Sequence, residues 1–159
     1  MVDRQSTTGD GFTPLYSEIF RMINNAKDKP KKLEILQKYD TPSLRMVLKA
    51  AFDPSIIFLL PAGTPPYEPN GAPEGTEHTL LSQEAKRLYH FIKGGNDNLV
   101  QFKREQMFVQ MLEGLHSTEA TLLIDVKEKR LNKVYKGLTE NLVKEAFNWN
   151  DSFTKIETK

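Results

Sequence analysis

Lys136-Gly137-Leu138-Thr139 is the stretch of this chain best equipped for chemistry. A lysine and a glycine directly before a helix start put cationic and backbone N–H donors at the positive end of a helix dipole. That combination favours an anion such as phosphate. Lys133, three residues earlier, lies near the same end. Two lysines so placed would hold one strand of a nucleic acid through its phosphates, which gives affinity without sequence readout. Short turns of this kind also serve as plain helix caps, so the motif alone leaves both readings open.

Other chemistry is poorly provided for. His78, His90 and His116 lack the i, i+4 spacing and the H-E-x-x-H context of a metal site. His90, between Tyr89 and Phe91, reads as a packed or surface histidine, and His116 as a loop residue ahead of a helix cap. Cysteine is absent, which excludes disulfides, thiol catalysis and thiolate zinc ligation. No G-x-S-x-G elbow, G-x-x-x-x-G-K-[ST] loop or G-x-G-x-x-G loop occurs, and Gly94-Gly95 reads as a helix stop. The expectation is a non-enzyme, with no catalytic residue, no metal, no cofactor and no small-molecule substrate.

The elements that must position the turn follow from periodicity and punctuation. A chain of 159 residues with 38% hydrophobic and 27% charged content suits one domain with a real core. No apolar run is long enough to cross a membrane, and MVDRQSTTGDGF carries no apolar leader. Net charge is only +1, but its distribution is uneven. Lys27 to Lys49 holds seven Lys/Arg against three acids, and Lys127 to Lys144 six against two, while the loop around Glu68, Glu74 and Glu77 is acidic. Either basic cluster alone reads as a solvated helix face. Brought together by the fold, the two would make an anion-binding face.

Residues 1–12 read as a flexible arm, 13–149 as one compact multi-helix domain, and 150–159 as a polar tail. Thr13-Pro14 marks a helix start, with Leu15, Ile19, Phe20, Met22 and Ile23 on one face. Pro30 opens a second helix and Thr41-Pro42 a third, which buries Leu44, Val47, Leu48, Ala51 and Phe52. Residues 55–60 form a short apolar segment, helical or extended. The stretch 61–78 has five of the nine prolines and three of the nine glycines, so it is a long loop, with Tyr67 pinning it to the body. Leu80, Leu81, Leu88, Phe91 and Ile92 predict one amphipathic helix. Phe102, Met107, Phe108, Met111, Leu112 and Leu115 predict the stripe of another, capped by Asn96 to Asn98. Ser117 caps a helix through Leu122, Leu123 and Val126, and Thr139 caps the last, bearing Leu142, Val143 and Phe147. The fold class is therefore mainly α, with a core expected to include Leu48, Phe52, Phe91, Phe108, Leu112, Leu123 and Leu142.

The stretches LRMVLKAAFDPSIIFLLP, EGTEHTLL, FIKGG, KREQMFVQMLEGLHSTEATLLIDVKEKRL and YKGLTENLVKEAF resemble a family of small proteins of T-even-like cyanophages, over most of residues 15–150. More remotely, the order KLEIL, SLRMVLKAAFDP, KREQMFVQMLEGL and EATLLIDVKEKRLNKVYKGL is similar to the N-terminal DNA-binding domain of phage ATP-dependent DNA ligases. That resemblance implies duplex binding through the minor groove and backbone, by residues matching Arg45, Lys49, Lys103, Arg104, Lys133 and Lys136, with the Gly137 turn presenting backbone donors. The adenylated lysine of a K-x-D-G motif is missing, and the likeness stops about where the catalytic domain begins. What the resemblances imply is a phage accessory module that binds DNA without sequence preference, in the host cytoplasm during infection. The alternatives are a virion structural or assembly protein that binds other phage proteins, and an inhibitor of a host enzyme.

Overall fold

The computed structural model describes residues 14–71 and 78–150. It is mainly helical, with eight α-helices and one 3-10 helix among the described residues. In chain order these are α1 (Tyr16–Asn25), α2 (Lys29–Lys38), α3 (Pro42–Phe52), α4 (Leu81–Glu84), the 3-10 helix Ala85–Phe91, α5 (Gln101–Gly114), α6 (Ser117–Lys127), α7 (Leu131–Val134) and α8 (Glu140–Phe147).

The punctuation residues act locally as their chemistry requires. Asp28 and Thr41 accept the Lys31 and Leu44 amides at 3.0 and 3.1 Å, each with a proline in the following turn. Thr139 does the same for Leu142 at 3.2 Å. The expected Thr13 cap lies outside the described residues. Two other caps differ from expectation. Val100, not an asparagine of 96–98, precedes α5, and the His116 ring rather than Ser117 accepts the Thr118 amide that starts α6.

Helix α6 is the axis of the molecule. Eight of its eleven residues are buried, as a helix enclosed on all sides must be, and it packs against α1, α3, α5 and α7. Around it, α1 packs on α2, α2 on α8, and α3 on the 3-10 helix. Leu48, Phe91, Phe108, Leu112, Leu123 and Leu142 are core residues as expected, whereas Phe52 is only half-buried at the core edge. The Phe91 and Phe108 rings meet edge to face at 5.2 Å.

Two elements depart from the expected pattern for legible reasons. The predicted amphipathic helix at 80–92 is one α-turn followed by seven residues of 3-10 helix. Its buried residues Ala85, Leu88 and Phe91 recur every third position, which matches three residues per turn rather than 3.6. In α5 the buried stripe is Arg104, Phe108, Met111 and Leu112. Phe102, expected in that stripe, falls on the opposite side and is 76% exposed.

The segment 55–60 is not helical: Ser55 lies in a turn closed by the Ile56 amide on the Asp53 carbonyl at 3.1 Å, and the chain beyond it is irregular apart from one bridge. Phe58 bridges Ile92, and Leu59 donates its amide to Phe91 at 2.7 Å. The described part of the proline-rich loop is strapped across α5 and α6. The Lys127 ammonium donates to the Pro61 and Gly63 carbonyls at 2.9 and 3.0 Å, and the Gly63 and Glu68 amides donate to the Glu128 and Glu113 carboxylates. Tyr67 packs against the core, as expected of it.

Candidate anion-binding face

The turn between α7 and α8 is held by α1 and α2. The Gly137 amide donates to the Asn24 side-chain carbonyl at 2.8 Å, and the Leu138 amide to the Tyr135 carbonyl at 2.9 Å. The expected backbone donor at Gly137 is therefore already engaged within the protein. The structure supplies side-chain cations there instead. A β-carbon built on Gly137 would lie 2.7 Å from the Lys32 ammonium, so that group rests on the glycine. The two basic clusters of the sequence meet at this contact, because α2 packs along α8.

Lys133 on α7 and Lys136 in the α7–α8 turn are exposed, as are Arg21 on α1 and Lys27 in the link from α1 to α2. Arg21 lies within electrostatic reach of the Tyr135 phenol. Burial raises that phenol, while the guanidinium charge opposes the rise. The Tyr135 ring is fixed edge-on to Phe20 at 5.8 Å. Among the described residues, none of Arg21, Lys27, Lys32, Lys133 and Lys136 is in an ion pair, whereas Lys29, Lys31 and Lys144 pair with Glu145, Glu34 and Glu140. Cations without acidic partners attract phosphate without dictating a sequence.

The remaining expected contact residues are placed differently. Arg45 grips Asp40 through two 2.7 Å hydrogen bonds and lies 4.9 Å over the Phe147 ring. Lys49 pairs with Asp53 at 2.9 Å and lies 5.1 Å from the Trp149 ring centre. Burial pushes the Asp53 carboxyl up, but the Lys49 ammonium and the Ser55 hydroxyl and amide outweigh it and bring the group to about 2. Arg104 is 4% exposed and donates to the His90 and Asn96 carbonyls at 2.9 Å each, so it has no face to offer a phosphate. Lys103 is exposed on α5, a helix that packs on α6 and the 3-10 helix. Of the seven predicted residues, Lys133, Lys136 and Gly137 come together, joined by Arg21 and Lys32. Lys32 was visible only as one member of a charge run. Arg21 gave no sequence signal at all.

No group of three or more His, Asp or Glu side chains among the described residues could hold a metal ion, although the His78 and His116 rings meet at 5.0 Å. No helix among the described residues is long and apolar enough to cross a membrane.

A model for a family of unknown function, DUF6433, matches residues 19–133, and the chain belongs to that family. The match runs from within α1 to within α7 and takes in Arg21, Lys27, Lys32 and Lys133. No protein of curated function and no solved structure matches the chain.

Proposed function

We propose that this chain is a non-catalytic accessory module that binds duplex DNA without sequence specificity, acting in the host cytoplasm during phage infection. Its contact face is the set Arg21, Lys27, Lys32, Lys133 and Lys136. The observation that carries the reading is the seat of the Lys32 ammonium on Gly137, which makes one basic face out of two clusters about a hundred residues apart. The ligase-like order of the sequence supports the same reading, and the missing K-x-D-G lysine supports the absence of ligation chemistry.

The test is a titration of labelled duplex at low salt and at several salt concentrations. Affinity should be equal on unrelated sequences and should fall steeply with salt as counterions are released. Each lysine removed should flatten the salt slope by roughly one. The Lys133→Glu/Lys136→Glu protein should keep its helical circular dichroism and lose most affinity. Absence of binding by the unmodified chain at about 50 mM salt, where phosphate contacts are strong, would end this reading.

A further inference from the structure

A second surface, formed by different elements, has the build of a binding site. Between the strap and α5 lies an open cavity of about 480 Å³, lined by Leu60, Pro65, Pro66, Phe102, Glu105 and Val109 among others. A volume of this size is typical of preformed ligand sites.

The strap wall is fixed in place. The Lys127 ammonium has three donors, and all are engaged, by the Pro61 carbonyl, the Gly63 carbonyl and the Glu128 carboxylate. Glu128 also takes the Gly63 amide, and Glu113 takes the Glu68 amide. Prolines stiffen the wall between these anchors, and Gly63 turns it at φ +90°. On the other wall the lining residue Phe102 is 76% exposed. Its ring continues the apolar lining of Leu60, Pro65, Pro66 and Val109 out to solvent, and a contiguous apolar patch of this kind marks an interaction site.

Charge identifies the occupant. Lys127 is neutralised by Glu128 and has no donor left. Among the described residues Glu105 is then the one charged group lining the cavity with capacity to spare, since Gln101 occupies only one of its oxygens at 2.9 Å. Outside the lining, Glu68 on the strap and Glu113 on α5 carry the same sign of charge. We infer that this cavity takes an extended segment of a partner protein, in which apolar side chains are flanked by lysine or arginine. This site and the DNA reading stand independently, because no residue of the basic face lines the cavity.

The probes are two fluorescein-labelled synthetic peptides with the same Leu/Phe/Pro centre, one flanked by lysines and the other by glutamates, followed by fluorescence anisotropy. The lysine-flanked peptide should bind, and the glutamate-flanked peptide should bind at least about tenfold more weakly, as an opposed charge pair requires. Phe102→Ala, a change at an exposed side chain that does not threaten folding, should weaken the first peptide by a similar factor. Glu105→Lys should reverse the preference, a result that a merely unfolded variant could not give. Binding of neither peptide, equal binding of both, or a preference unmoved by Glu105→Lys would each overturn the proposal. Loss of duplex binding in Lys133→Glu/Lys136→Glu with peptide binding intact would separate the two sites.

Discussion

The carboxylate of Glu119 accepts the backbone amide of Tyr16 at 2.9 Å, across 103 residues of chain, and with its other oxygen accepts the amide of Leu81 at 2.9 Å. Both amides open helices, α1 and α4, whose first N–H groups have no partner inside the helix. A buried negative charge at two helix N-termini is stabilised by both dipoles. It ties α1 and α4 to the central helix. The neighbouring Ser17–Thr118 hydroxyl contact at 2.9 Å reinforces the α1 side. Glu119→Gln keeps the size but leaves one amide facing an NH2 group. It should lower stability in urea by about 1.5–3 kcal/mol, the range for a hydrogen bond to a charged group. Ser17→Ala should cost about 1 kcal/mol. Equal effects of the two would mean that the carboxylate is no more than an ordinary polar contact.

Arg104 and its neighbour Lys103 should part company under mutation. Both were expected at a DNA surface, yet one is buried in the core stripe and the other is exposed. Arg104→Ala removes the donors that hold the His90 and Asn96 carbonyls, and with them the packing of the arginine stem. It should destabilise the fold by about 2–4 kcal/mol without altering the duplex affinity of the folded protein. Lys103→Ala should leave stability within about 0.5 kcal/mol. Thermal melts paired with the duplex titration decide this. A stable Arg104→Ala that binds DNA poorly would restore Arg104 to the binding face.

These two residues also show where sequence reasoning reached and where it stopped. Cap chemistry is local, so Thr41-Pro42 and Thr139 announced their helices, and the period of the apolar residues placed most of the core. Arg104 occupies an apolar slot of its stripe, and only the tertiary partners of its guanidinium distinguish it from a surface cation. The three-residue spacing of Ala85, Leu88 and Phe91 was present in the sequence, but overlapping apolar residues at 80, 81 and 92 disguised it as an α-helix. At the basic face, Lys133 and Lys136 were legible because they precede a helix start. Arg21 and Lys32 join them through helix packing, and no local pattern encodes that.

Acid should weaken the fold through Asp53. Its carboxyl, held by Lys49 and Ser55, stands at about 2 against an ordinary value of 3.8. A folded-state value below the unfolded one means that the stabilisation is fully present above about pH 4. It is lost as pH falls towards 2. After discounting for solvent screening, the contribution is about 1 kcal/mol. Asp53→Asn should therefore be less stable than the parent at pH 6 and should converge with it near pH 2. Urea midpoints measured across that range give the comparison, and parallel curves would refute the assignment.

Two glycines should respond unequally to alanine. A β-carbon on Gly95 would lie 2.1 Å from the Tyr89 carbonyl oxygen and 2.9 Å from its carbon, both backbone atoms of the turn that closes the 3-10 helix. The turn must open to admit it, and Gly95→Ala should cost more than about 2 kcal/mol, as other overpacked sites do. On Gly137 the nearest atom is the Lys32 ammonium at 2.7 Å, the free end of a flexible side chain, followed by the Asn24 α-carbon at 3.2 Å. Lys32 can swing outward, and Asn24 needs to give by only a few tenths of an ångström. Alanine also reduces the entropy of the unfolded chain by an amount worth about 0.4–1 kcal/mol. Gly137→Ala should accordingly fall within about 1 kcal/mol of the parent, with the Lys32 ammonium displaced from the turn but still on the same face. Duplex affinity should change by less than about threefold, because a mobile lysine contributes charge rather than a fixed hydrogen bond. A large loss of affinity in a protein of unchanged stability would show instead that the lysine must rest on the glycine for the face to work.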